Sequence, residues 1–358
     1  MGVKENEIQK PLTRIKDIAE KAGVSAGTVD RVIHDRGRVS EKVRERVLRI
    51  IKELNYEPNV LARALVSRHN FRLGVLIPDP SYDEYWEAPV RGVDMAQDQL
   101  KQYGIIVQKH LFNQNDSESF KGAAEDLAKE NYNGIVAAPL FYREALVFMK
   151  RWKNEAIPFT LFNTHIYDFE PLSYIGQNSY QSGVLAGKLL HYGSKSSGTF
   201  LVAHIDEDVS NSTHLIRKEQ GFLDYFKNNG NDQFRCIRVE LERCGDEVVF
   251  FRQMDLLFAK YPNIIGFFVT NSRAYSIANY LKTKHYRDVL LVGYDLLTRN
   301  LNWLNEGIIH FLINQNPKGQ GFWGVKLLAD YLLFNKQVEA VKYLPLDVIT
   351  RENVQYYI

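Results

Sequence analysis

The stretch Arg14-Ile-Lys-Asp-Ile-Ala-Glu-Lys-Ala-Gly-Val-Ser-Ala-Gly-Thr-Val-Asp-Arg-Val-Ile33 reads as two short helices joined by a Gly-Val-Ser turn. Ile15, Ile18, Ala19 and Ala22 fall at i, i+3, i+4 and i+7, so the first segment carries one apolar stripe. Gly23 supplies the conformational freedom that ends it. Ser25 stands where its hydroxyl can bond an orphan amide of the second helix. Val29, Val32 and Ile33 continue the apolar face, while Ala26, Gly27, Asp30, Arg31 and His34 look outward. A helix held in this way fits the major groove of DNA. By periodicity alone, an amphipathic hairpin with no ligand reads the same.

The residues that follow favour DNA. Ser40 begins a third helix over 41–54, with Val43, Val47, Ile50, Ile51 and Leu54 at helical spacing. Pro58 opens a last short apolar segment ending near Leu65. Residues 13–68 hold 13 Lys+Arg against 8 Asp+Glu, a net of +5, whereas residues 69–358 carry −3. A basic head on a mildly acidic body suits phosphate contact by the head alone. No 18-residue apolar run exists and the N-terminus lacks an apolar stretch, so neither a membrane span nor a signal peptide is expected. Cys236 and Cys244 are too few for a disulfide framework and lack metal spacing. These features fit a cytoplasmic protein.

From Phe71 the pattern changes to strands alternating with helices. Apolar runs at 72–77, 105–111, 134–138, 159–162, 199–203, 265–269 and 289–292 read as buried strands. Such alternation means parallel sheets covered on both faces, and so many strands call for two lobes. Ligands of such sheets bind outside the carboxyl ends of the strands, which makes the cleft between lobes the expected site.

The chain through Leu65 resembles the LacI/GalR family of bacterial transcription regulators. The matching residues are Ile15-Lys-Asp-Ile-Ala19, Ala22-Gly-Val-Ser25, Thr28-Val29, Arg31-Val32, Val39-Ser40, Arg44-Glu-Arg-Val47, Tyr56-Glu-Pro-Asn59 and Ala62-Arg-Ala-Leu65. Asp30 and His34 depart from it, standing where the family usually has Ser and Asn. The rest resembles, more loosely, the type I periplasmic sugar-binding fold. Its matches are the strand-end segments Ile77-Pro-Asp-Pro-Ser-Tyr-Asp-Glu-Tyr-Trp86, Phe162-Asn-Thr-His165, Ile175-Gly-Gln-Asn178, Arg217-Lys-Glu-Gln-Gly-Phe222, Val269-Thr-Asn-Ser272, Val292-Gly-Tyr-Asp295 and Leu312-Ile-Asn-Gln315.

The resemblance implies an α/β architecture. It has a tail (1–12), an all-α helix-turn-helix domain (13–57), a hinge helix (58–68) and a two-lobed, doubly wound body (69–358). Lobe 1 would take about 71–176 and 316–340, and lobe 2 about 177–315 and 341–358. It also implies a homodimer or tetramer on a pseudo-palindromic operator in double-stranded DNA. Ala26, Gly27 and Arg31 would then face base edges and Ser25 and Thr28 the phosphates. Asp30 and His34 would border them, with Asn59, Arg63 and Leu65 meeting DNA from the hinge. The implied effector is a sugar, sugar alcohol or sugar acid, and no metal or cofactor is called for.

The cleft residues have competing readings. Tyr85 and Trp86 follow the first strand, where the sugar-binding fold places stacking aromatics, with Tyr82 beside them; helix-start packing is the alternative. Asp295 ends an apolar strand and can accept two hydroxyl bonds or cap the next helix. Asn271 faces the same choice. Gln177 and Gln315 lie at crossovers between lobes. Asn163 and Thr164 stand where sugar-binding relatives often have Asp and Arg, so a charged clamp is lost and His165 is a partial substitute or a solvated side chain. Asn211, His214 and Arg217 precede Gly221-Phe222, and Arg217 is either an anchor for an acidic ligand or half of a surface ion pair.

Enzyme motifs fail: Gly183-Val-Leu-Ala-Gly-Lys-Leu189 has three residues where a phosphate loop needs four, and no metalloprotease, nucleophile-elbow or dinucleotide signature occurs. A transport receptor would need a signal peptide and no basic head. By resemblance, Leu65 is the hinge residue that wedges between base steps and kinks the duplex. Leu65→Ala is therefore expected to weaken specific operator binding and reduce the bend while leaving ligand binding intact. A gel-phasing assay checks this, and an unchanged bend would refute the wedge.

Overall fold

The computed structural model describes residues 15–33, 37, 39–54, 70–229 and 233–358. His34, Asn59, Arg63 and Leu65 lie outside them. Contacts divide the chain into two units, Met1–Arg68 and His69–Ile358.

In the first unit, α1 (Ile15–Ala22), α2 (Ala26–Ile33) and α3 (Glu41–Glu53) surround one small core. Ile18, Ala19 and Ala22 meet Val29 and Val32 from α2 and Val47 and Ile50 from α3. Gly23 has φ +63°, and the Val24 amide reaches back to the Ala19 carbonyl at 3.0 Å. This satisfies a carbonyl that the helix end would otherwise orphan. The Thr28 amide donates to Ser25 Oγ at 3.1 Å, so Ser25 caps α2 as its position in the sequence suggests. With its N-terminal end fixed, α2 turns Ala26, Gly27 and Arg31 to solvent.

The second unit is a pair of parallel-rich sheets. The first runs β11–β5–β4–β3–β1–β2 and the second β12–β10–β9–β8–β6–β7. Their strands are β1 (Phe71–Pro78), β2 (Ile105–Phe112), β3 (Gly134–Ala137), β4 (Phe159–Phe162), β5 (Ser173–Gly176), β6 (Gly198–Ile205), β7 (Phe234–Leu241), β8 (Ile264–Val269), β9 (Leu290–Tyr294), β10 (Phe311–Asn314), β11 (Val341–Tyr343) and β12 (Asp347–Ile349). Among the described residues only β12 pairs antiparallel, with β10. The central strands are continuous apolar runs because helices cover both faces. The edge strands β2 and β7 mix charged and apolar residues.

Helices α4 (Glu87–Leu100), α5 (Ser117–Ala128) and α6 (Tyr142–Asn154) belong to the first lobe, and α8 (Thr213–Asn228), α9 (Glu247–Lys260), α10 (Ala274–Thr283) and α11 (Thr298–Asn305) to the second. Two further helices cross over: α7 (Ser179–Gly193) leaves β5 to pack on α8, and α12 (Pro317–Phe334) leaves β10 to pack on α4. The third crossing follows Tyr343, since β11 pairs with β5 in the first sheet. That differs from the expected return to lobe 2 at residue 341, because a three-residue edge strand leaves little periodic signal. None of the helices among the described residues is long and apolar enough to cross a membrane.

The crossover helices meet their partners through glycine. A Cβ on Gly183 would sit 1.9 Å from the Lys218 carbonyl oxygen, and one on Gly221 2.0 Å from that of Tyr180. Gly92 and Gly321 repeat this in the first lobe, against the Lys318 and Pro89 carbonyls. Gly221→Ala is expected to cost about 1–3 kcal/mol by overpacking against backbone that has nowhere to go. Gly122→Ala, with nothing within 4 Å of the added carbon on an exposed helix face, is expected to gain about 0.5–1 kcal/mol. Thermal melts of both variants measure the contrast.

Candidate functional site

A cleft of about 850 Å³, its open mouth included, lies between the two lobes of the second unit. Its walls come from strand ends and the first turns of helices, where unpaired backbone groups and polar side chains converge. Asp83, Tyr85, Trp86, Gln114, Phe141 and Asn163 line it from the first lobe, and Glu207, His214, Lys218, Asn271 and Asp295 from the second, with Gln315 at a crossing.

Asn163 and Asp295 occupy equivalent places. Each follows the fourth strand of its lobe at φ +67°, and each amide donates to the third residue of the next strand, Ile175 or Ile313. Left-handed backbone is tolerated by Asn and Asp better than by most residues. Asn163 Nδ2 donates to the Tyr85 hydroxyl at 2.8 Å. Asp295 is 1 % exposed; Oδ2 accepts from Gln315 Nε2 at 2.8 Å, and Oδ1 has no hydrogen-bond partner among the described residues. Asp295 does not cap α11, whose first turn receives no side-chain bond.

Gln315 joins that carboxylate to a lysine. Lys218 Nζ donates to Gln315 Oε1 at 3.2 Å and to the Thr270 carbonyl at 2.9 Å, and it lies 3.7 Å from the centre of the Tyr294 ring. Burial pushes the Asp295 carboxyl up and the Lys218 ammonium down, and each charge partly offsets the other's shift. Thr270 Oγ1 also meets His204, whose other ring nitrogen bonds Glu219, so a polar chain runs beneath the cleft floor.

The aromatic wall does two jobs. Tyr85 and Trp86 pack edge to face at 4.9 Å, are nearly buried in the first-lobe core, and also border the cleft. Trp86 Nε1 donates to Gln114 at 2.6 Å, and Gln114 donates to Asp83. Across the cleft, Asn271 Nδ2 donates to the Ile205 carbonyl at 2.7 Å, and its Oδ1 receives the Arg273 amide.

Several expected cleft residues sit elsewhere. Tyr82 is exposed, outside the lining. His165 stacks on Tyr174 at 4.2 Å and lies tilted against Tyr167 at 4.0 Å, away from the cleft. Gln177 is a crossing clamp: its Nε2 donates to the Asn314 and Pro345 carbonyls. Asn211 latches the lobes, accepting from the Arg143 amide and donating to Glu144. Arg217 is exposed over the Tyr167 ring. One residue on, a 100° rotation points Lys218 inward instead. The sequence shows why: Lys218 shares its helix face with His214, Leu215, Gly221 and Phe222. Asp83, Gln114, Glu207 and Phe141 are further lining residues that sequence reasoning missed, since they fall on turns with no periodicity.

In the first unit, Ser25, Ala26, Gly27 and Arg31 are exposed, and Thr28 and Asp30 half-buried, on α2. This presents a short, small-residue surface with one guanidinium.

Residues 73–336 match the model for the periplasmic binding protein domain, and residues 14–59 that for bacterial regulatory proteins of the lacI family. The HTH-type transcriptional regulator MalR of Streptococcus pneumoniae is 27% identical over 301 residues, 82% of this chain and 86% of that protein. The ribose operon repressor of Halalkalibacterium halodurans is 34% identical over 156 residues, 41% of this chain and 45% of that one. A structure from Bacteroides fragilis, assigned as a LacI transcriptional regulator, superposes with a TM-score of 0.75 at 29% identity, over 81% of this chain and all of its own.

The cleft edge carries a pH dependence. His214 Nδ1 meets Thr164 Oγ1 of the other lobe at 3.3 Å. Burial, with Lys218 nearby, lowers its pKa to about 3. Unfolding lets it take up a proton near its ordinary 6.5, so between those values the unfolded state binds more protons. The stability from neutral His214 is present above pH 6.5 and is lost as pH falls. The melting temperature is expected to drop between pH 7 and 5, and His214→Gln to flatten that slope.

Proposed function

The chain belongs to the LacI family of bacterial regulatory proteins, a lacI-type head on a periplasmic binding protein body, and from that premise we propose a repressor whose operator affinity is set by a carbohydrate held between its lobes. One observation carries the reading: a polar, aromatic-walled cleft lies between two lobes that share three chain crossings, on the same chain as a capped, exposed helix of helix-turn-helix form. A sugar offers hydroxyl edges and apolar C–H faces. Asp295, Asn163, Asn271 and Gln315 suit the edges, and Trp86, Tyr85 and Phe141 suit the faces.

In this reading two copies act in the cytoplasm as a homodimer, each laying α2 in a major groove of one half-site. Arg31 grips a guanine, Ala26 and Gly27 allow close approach, and Ser25 and Thr28 meet phosphate. A ligand that favours one lobe arrangement shifts the equilibrium between states of different operator affinity, and the coupling is reciprocal. A sugar acid is the poorest candidate, because Arg217 stands outside the cleft and carboxylates dominate its lining.

Operator binding measured by fluorescence anisotropy, titrated with a sugar panel, tests this. Arg31→Ala is expected to cost about 1–3 kcal/mol of discrimination at one base position. A uniform loss across sequences would reduce Arg31 to a phosphate contact. Asp295→Ala should remove the effector response and leave unliganded binding intact; a wild-type response in that variant places the sensor site elsewhere.

A further inference from the structure

The cleft holds more negative charge than a neutral sugar uses. Asp83, Asp206, Glu207, Asp208 and Asp295 line it, and Lys218 is the one lysine or arginine in the lining among the described residues. That lysine is already committed to Thr270, Gln315 and the Tyr294 face. Arg273, behind the lining, pairs with Asp206 at 3.2 Å and Asp83 at 3.7 Å. Five carboxylates therefore face two cations. Two of the five stay poorly matched. Among the described residues Asp295 Oδ1 is buried without a hydrogen-bond partner, and the Glu207 side chain has one hydrogen bond, from Asn271 Nδ2 at 3.4 Å.

Resting on the carbohydrate reading above, we propose that the effector is an amino sugar whose protonated amine is taken by the Asp295 and Glu207 carboxylates. Closing the lobes over a neutral polyol removes water from uncompensated like charges, which strengthens their repulsion. An ammonium supplies three donors and the missing positive charge at once. The same field, focused by the cleft, repels uronic acids and sugar phosphates. Burial pushes the Glu207 carboxyl up, as it does that of Asp295, and the cations Arg273 and Lys218 offset this only in part. Phe141 and Trp86 are left to cover the apolar ring face.

Isothermal titration of the full chain tests the proposal with D-glucosamine, D-galactosamine and D-mannosamine. Their N-acetyl derivatives, parent hexoses and the matching uronic acids serve as comparators. At least one aminohexose is expected to bind ten-fold or more tightly than its N-acetyl form and its parent. Glu207→Gln should narrow that ratio and Asp295→Asn abolish it, with thermal melts confirming that both variants fold. A parent hexose binding as tightly as its amine overturns the amine proposal and leaves the carbohydrate reading standing. If no member of the panel binds, both fall.

Discussion

The body depends on one side-chain amide. Gln177 Nε2 spends both hydrogens across the lobe boundary, on the carbonyls of Asn314 and Pro345. The three crossings pass through residues 177, 315 and 344–346, so a single group pins all of them. The Leu344 amide adds a bond to the Gly176 carbonyl at 2.7 Å. Separate strands that crossed independently would let the lobes slide as well as rotate. Tied at one point, they retain a hinge. The bond is worth keeping because its loss would strand buried backbone carbonyls, and each such group costs about 1–3 kcal/mol.

The same backbone place in the other half of the fold does different work. Gln315 follows β10 as Gln177 follows β5, yet its amide lies between Lys218 and Asp295 instead of binding the crossing. Asn163 and Asp295 show the same divergence at the ends of β4 and β9. Their backbones match and their charges do not. A near-duplicated scaffold therefore yields a cleft whose second wall holds Asp295, Glu207 and Lys218 while the first holds amides, rings and the carboxylate of Asp83. The lining is asymmetric although the frame is nearly symmetric.

How much of this the sequence disclosed follows from where periodicity exists. The head was legible because Gly23, Ser25 and the apolar stripe of α1 all encode one hairpin, with consistent signals at every level. The central strands were legible because burial on both faces leaves unbroken apolar runs. β7 was not, since Phe234-Arg-Cys-Ile-Arg-Val-Glu-Leu241 is an edge strand with charge on its open side. In the cleft, strand-end positions such as Asn163 and Asp295 were foreseeable by place. Side-chain direction was not. His165 is two residues past Asn163 and turns into a tyrosine stack, and Arg217 and Lys218 are neighbours that face opposite environments. Gln177 sits at a strand end like the cleft-lining residues, and only its contacts in the fold show that its amide is already used.

Closure of the cleft is a balance between contacts at its rim and charges at its floor. Asp83 with Arg273, Asn211 with Glu144, and Thr164 with His214 join the lobes at the rim. Each draws on a buried side chain, Arg273, Asn211 or Thr164, so parting the lobes there must rehydrate a buried polar group. Against them, any closure would bring Asp83 of the first wall nearer the carboxylates of the second as water left. The glycine-packed helix pairs make each lobe resist internal deformation, so this opposition is not relaxed locally and acts on the hinge. A ligand that fills the donors' places and compensates the floor shifts the balance by its differential affinity for the closed arrangement and by no more than that. The cleft can then report on chemistry as well as on occupancy. On the proposed reading, a molecule that leaves Asp295 unmatched gains less from closure than one that matches it, and so moves the lobes less.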